Sequence, residues 1–156
     1  MTADQEAALM ATRDDAEVRD LIDDIEMGDW AGEPLDCETD KAWDAIHRCL
    51  SDGTLGCGRH LSPLDMAVLG GLQHHEGEDY VVAYLRDGEV AEVAASLAVV
   101  DREWMRRRYD RIDATEYQAE LSDEDFDYTW HWFTQVRTFY LKAAAAGRAV
   151  IFTVDQ

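Results

Sequence analysis

The 156-residue sequence predicts an α+β fold, with several helices packed around a small sheet that includes a C-terminal strand. Three observations carry that expectation. Apolar residues recur at helical spacing in several segments, Tyr80–Leu85 alternates with the two-residue period of a strand, and Ala149–Val154 is an uninterrupted apolar and β-branched run. A chain of this length suits one domain, which buries roughly 70% of its unfolded surface. Residues 15–156 are read as that domain, and residues 1–14 as a poorly determined N-terminal segment.

The first helix is expected over Thr12–Met27, where Val18, Leu21, Ile22 and Ile25 share a face and acids fill most other positions. Gly28–Pro34 carries two glycines and a proline and marks a turn. Thr39–Leu50 suits a second helix, with Thr39 as its cap and Ala42, Trp43, Ile46, Cys49 and Leu50 on one side, Trp43 and Leu50 pointing inward. The glycine-rich stretch Ser51–Pro63 reads as a long loop, and Pro63–Leu69 as one or two helical turns stopped by Gly70 and Gly71. After a polar loop over Gln73–Asp79 comes the strand Tyr80–Leu85, with Val81, Ala83 and Leu85 on one side and Tyr80, Val82 and Tyr84 on the other.

Asp87 suits the N-cap of a helix whose Val90, Val93, Ala94, Leu97 and Val100 form a stripe, and Asp101 the cap of a short helix carrying Trp104, Met105 and Tyr109. Arg106–Arg108 fall at that helix's C-terminal end, where the dipole favours cations. The longest helix starts at Ser122 with Asp123, Glu124 and Asp125 in its first turn, repeats Phe126, Trp130, Phe133, Arg137 and Tyr140, and stops at Gly147. Ala149–Val154 then reads as a buried terminal strand.

Fourteen basic against 34 acidic residues give a formal charge of −20. Such a chain repels polyanions, because nucleic-acid affinity comes from Lys and Arg displacing counterions. The one dense basic run, Arg106–Arg108, is ringed by Asp101, Glu103, Asp110 and Asp113. Nucleic acid and anionic membrane are therefore disfavoured as partners, and a basic protein partner is permitted. No stretch approaches the roughly 18 apolar residues of a membrane span, and Met1–Met10 carries Asp4 and Glu6 instead of a basic-then-apolar leader. With three cysteines, an odd count, the expectation is reduced thiols and a cytoplasmic protein.

The run from Leu35 and Asp36 through Lys41, Trp43 and His47 resembles a signature of the bacterial YfbM-like family of unknown function. Pro63-Leu64 with Ala67–Gly71, the segment Tyr84–Leu97, and Tyr140, Ala144 and Gly147 before the closing strand resemble further blocks of that family. The resemblance covers roughly residues 15–156. It implies helices around a small sheet, with a short apolar strand ahead of the first helix, whereas Met1–Ala11 here is polar and alanine-rich. It implies no chemistry.

Several constellations invite a chemical reading. His47, with Asp44 one helical turn before it, has the residue types of a histidine base and its orienting carboxylate; the bland alternative is a packed imidazole beside Trp43. Cys57 and His60 form the one plausible chelating pair among His47, Cys49, Cys57 and His60. His47 and Cys49 stand two apart on an expected helix and point to different faces, so the spacing argues against zinc and for loop or buried thiols. His74 and His75 stand among Glu76, Glu78 and Asp79, a weak cation site or a solvated loop. The aromatics of the long helix cover more than one face, which leaves Trp132 and Tyr128, together with Trp43, as candidates for a partner surface. No phosphate loop, nucleophile elbow or zinc-protease motif is present, so neither cofactor nor metal is expected. The reading is a non-catalytic, acidic, inhibitor- or immunity-like interaction module; the alternative is a small enzyme using His47 with Asp44.

Overall fold

The computed structural model describes residues 1–28, 35–56, 62–75, 77 and 80–155. Among them are six α-helices and a three-stranded antiparallel sheet: α1 (Ala3–Ala11), α2 (Asp15–Glu26), α3 (Trp43–Leu50), β1 (Leu72–Gln73), β2 (Tyr80–Leu85), α4 (Asp87–Ala98), α5 (Arg102–Tyr109), α6 (Asp123–Ala145) and β3 (Val150–Asp155). This is the expected α+β architecture.

The sheet runs β1-β2-β3, with β2 and β3 paired from Tyr80↔Asp155 to Leu85↔Val150. Because side chains alternate along a strand, β2 serves two clusters. Val81 and Leu85, with Val150, Phe152 and Val154 of β3, face the larger cluster, built from α3, α4, α5 and α6. Tyr80, Val82 and Tyr84, with Ile151, face a smaller one formed with Leu9 of α1 and Val18, Leu21 and Ile22 of α2. The alternation read from Tyr80–Leu85 thus corresponds to two covered faces.

The helix ends follow local chemistry. Asp101 and Ser122 cap as expected, accepting from Trp104 N at 2.7 Å and Asp125 N at 3.1 Å. Asp14 caps α2. Other ends differ from the sequence reading. Thr39 makes no capping bond; a 3-10 turn, Asp40–Ala42, leads into α3, with Asp40 at φ 44°, which aspartate tolerates. At α4 the cap position is Arg86, whose N–H donates to Glu89 at 2.9 Å, and Asp87 is the first helical residue. Pro63–Leu69 forms a tight turn with i→i+3 bonds and no α-helix. Gly71 follows at φ 102°, where a side chain would run into the Tyr84 carbonyl.

At the N-terminus, α1 stands where the resemblance implies a strand. Thr2 and Gln5 form its capping box, which alanines then extend. Leu9 is fully buried, Tyr84 donates its hydroxyl proton to Glu6, and the Met1 amine donates to Ala149 O at 2.5 Å. At the other end, β3 is less enclosed than its composition suggested: Ile151–Val154 are half-buried, because β3 is an edge strand with β2 on one side only.

Candidate functional site

On α3 the whole run Ala45–Leu50 is buried, and His47 lies within it, 2% exposed. Neither ring nitrogen has a hydrogen-bond partner among the described residues. Burial lowers its pKa to about 4, opposed by the charges of Asp65 and Asp52 and reinforced by Arg48. The imidazole is therefore neutral at physiological pH. Asp44, paired with His47 in the sequence reading, serves a different residue: Arg48 donates from Nε to Asp44 Oδ1 at 2.5 Å. Arg48, 3% exposed, also donates to Gly53 O and Glu116 O and pairs with the Glu116 carboxylate at 3.4 Å. A buried guanidinium requires such company, so Asp44 is spent on neutralising Arg48.

Trp132 and Tyr128 do come together. Their rings meet nearly perpendicular at 6.3 Å on α6. Trp132 lines a groove of about 420 Å³ whose one wall is the segment Leu35–Glu38 and whose other is the α6 face carrying His131, Gln135, Phe139 and Lys142. Spacings of three and four residues place those side chains along one stripe. In the facing segment, Leu35 and Cys37 are half-buried while Asp36 and Glu38 are exposed, so less accessible apolar residues alternate with acidic ones. Burial, with the charges of Asp36 and Glu38, raises the Cys37 thiol to about 11; it is no nucleophile at neutral pH. Tyr128 has a structural task as well, accepting from Lys41 N at 3.2 Å and so tying the turn before α3 to α6. Trp43 lies outside this groove, half-buried against the larger cluster with its ring 6.4 Å from Phe152.

Cys57, His60, Glu76, Glu78 and Asp79 lie outside the described residues. His74 and His75 pack against different neighbours. His75 accepts from Arg19 Nε at 3.2 Å and meets the Tyr80 ring, whereas His74 meets Tyr84 edge-on and has its pKa lowered by burial. Among the described residues no group of three or more His, Cys, Asp or Glu is placed to hold a metal ion, and no helix is long and apolar enough to cross a membrane.

Two features escaped the sequence reading. The acidic wall Asp36–Glu38 reaches the groove only through tertiary packing, which spacing along one helix does not reveal. Asp65, 8% exposed, accepts from both N and Oγ of Ser62 at 3.0 Å and adds its charge near His47. The Ser62-x-x-Asp65 pattern was the available signal for the first role, though not for the second.

The family model described as "Domain of unknown function (DUF1877)" matches residues 1–153. The chain belongs to this family. Its fold is similar to that of a solved structure, a protein of unknown function, YfbM from Escherichia coli, with a TM-score of 0.66 and 18% identity over 100% of this chain and 96% of that one. No curated protein matches. The YfbM-like resemblance seen in the sequence is thereby established, and at this identity the likeness to the solved structure speaks for the fold alone.

Proposed function

We propose that this family member is a non-catalytic module that binds a basic protein partner, in the manner of an inhibitor or immunity protein, in the cytoplasm. The observation that carries the reading is the groove in which Trp132 and Phe139 form an apolar wall opposite the exposed carboxylates of Asp36 and Glu38. A lysine or arginine side chain can lay its aliphatic stem on the aromatic wall and its charge on the acidic rim. The overall charge of −20 attracts such a partner from a distance. Depletion of competing functions supports the same reading: His47 is enclosed, its sequence-suggested carboxylate is held by Arg48, and the Cys37 thiol is kept protonated.

The test is recovery of a Lys/Arg-rich protein from lysate of the native host at low salt, repeated with Trp132→Ala and with Asp36→Lys/Glu38→Lys. The reading expects a salt-sensitive complex that both variants weaken at least about tenfold. Nothing reproducible at low salt, or equal recovery by all three proteins, defeats it.

A further inference from the structure

The two edges of the sheet are protected very differently. β1 is two residues long, too short to template another chain. β3 offers six residues, Val-Ile-Phe-Thr-Val-Asp, roughly 20 Å of strand, without the lysine, proline or glycine that usually blunt an edge. Among the described residues only one side of β3 is used. Every second residue of an antiparallel strand turns its N–H and C=O away from its partner, and among the described residues no backbone bond reaches those outward groups of Val150–Asp155. Val150–Val154 are strong β formers, suited to extended backbone.

Charge indicates what such an edge would receive. Ile151, Thr153 and Asp155 lie on the α2 side, and there Thr153 and Asp155 line a second groove, about 350 Å³, together with Asp23 and Glu26. Asp23, Glu26 and Asp155 are all exposed. The cation in that groove, Arg19, is engaged by the His75 imidazole and stacks 4.4 Å over the Tyr80 ring. On the opposite side, Phe152 and Val154 are half-buried and apolar. A strand added beside β3 therefore meets carboxylates with one set of side chains and an apolar margin with the other. A second copy of this chain fits poorly, because its own edge contains no cation and each copy carries −20.

We propose that β3 is a strand-addition site for an extended segment of a basic protein, in which Lys or Arg alternates with apolar residues. The proposal rests on the reading of this chain as a receptor for a basic partner and adds how that partner is held: by main-chain hydrogen bonds along β3, with Asp23, Glu26 and Asp155 selecting the charge.

The experiment uses a labelled synthetic octapeptide alternating Lys and Val, its affinity read by fluorescence anisotropy, and amide hydrogen exchange of the full chain. The outward amides of β3 should exchange quickly in the free protein and slow at least about tenfold with peptide bound. N-methylating alternate peptide residues should cost at least about tenfold in affinity when the methyls face β3 and little when they face solvent. Asp23→Lys/Glu26→Lys should weaken the unmodified peptide by a similar factor and leave the melting temperature unchanged. Absence of binding, or equal loss from both methylation patterns, overturns the proposal. So does concentration-dependent dimerisation that itself protects the β3 amides. Measuring Trp132→Ala in parallel separates the two readings: binding that survives this variant but needs the β3 edge keeps the strand site without the α6 groove, and the reverse leaves the groove reading standing alone.

Discussion

The two faces of the sheet are covered by layers of unequal build. On one side α3 and α4 contribute Ile46, Leu50, Val93 and Leu97, and α5 and α6 contribute Met105, Tyr109, Phe126, Phe133 and Tyr140, to a continuous interior, and the polar groups inside it are mostly tied down. Arg48 is held by Asp44 and Glu116, Arg108 donates to Cys49 O and Ser51 O at the end of α3, and Asp125 accepts from Tyr109 at 2.5 Å and Tyr117 at 2.9 Å. On the other side α1 and α2 cover the sheet with Leu9, Val18, Leu21 and Ile22. The outward face of α2 is largely acidic, with Asp20, Asp23, Asp24 and Glu26 exposed, whereas α1 exposes mainly alanines and Met10. The thick layer fixes the shape, whereas the thin one turns a negatively charged surface toward whatever the molecule meets. The difference predicts an ordered series of effects.

The largest belongs to the thick layer. Arg48→Ala removes a 2% exposed side chain and leaves Asp44 without its cation, so a loss of about 3–5 kcal/mol is expected in urea denaturation. A cost under about 1 kcal/mol would mean that the network does not carry this layer.

Next comes His47. Its folded pKa of about 4 lies below the ordinary imidazole value of 6.5, so between those values the unfolded chain binds the proton more readily. The stability this neutral imidazole allows is fully present above pH 6.5 and is lost as pH falls toward 4, by about 3 kcal/mol at most. His47→Leu should flatten that part of the pH profile relative to the parent chain. His47→Ala should lower the melting temperature by opening a cavity; a variant that instead kept its stability and lost an activity would restore the histidine as a catalytic residue.

These effects show what could be read in the chain beforehand. The stripe Val90, Val93, Ala94, Leu97 and Val100 is buried as its period implied, and the capping and acidic first turn of α6 fall where Ser122 and its followers placed them, because both are set by neighbours within a turn or two. Helix α1 was not legible: Asp4, Gln5 and Glu6 hide a single burial position, Leu9, whose value comes from distant Tyr84 and Ala149. The site was only half visible. Trp132 and Tyr128 share a helix, so their spacing alone brings the rings together, while the carboxylates across the groove lie about ninety residues earlier in the chain, beyond any local pattern. The assignment of Asp44 to His47 failed for a related reason, since Arg48 is one turn beyond Asp44 and competes for it.

In the thin layer, Leu9→Ala should cost about 2 kcal/mol, the low end for a buried leucine, since a two-helix cover can settle into the gap. Hydrogen exchange should quicken in α1 and α2 first and leave α4 and α6 protected. Uniform loss of protection would show that both layers open together and that their difference in build has no energetic consequence.

The smallest change in stability is expected at the α6 groove. Trp132 is half-buried, with its ring edge-on to Tyr128 and His131 and packed against the buried residues of the larger cluster without being enclosed by them, so Trp132→Ala should cost only about 1 kcal/mol. Its effect on capture of a basic partner should nonetheless exceed that of any charge variant on the rim, because an aromatic wall supplies buried area that a screened carboxylate cannot. Titrating salt makes the distinction quantitative. If Asp36→Lys/Glu38→Lys alters affinity mainly at low salt while Trp132→Ala lowers it equally at every salt concentration, the carboxylates steer the partner and the indole holds it. If both variants converge at high salt, the indole contributes no contact of its own, and the groove is only part of a diffuse negative surface.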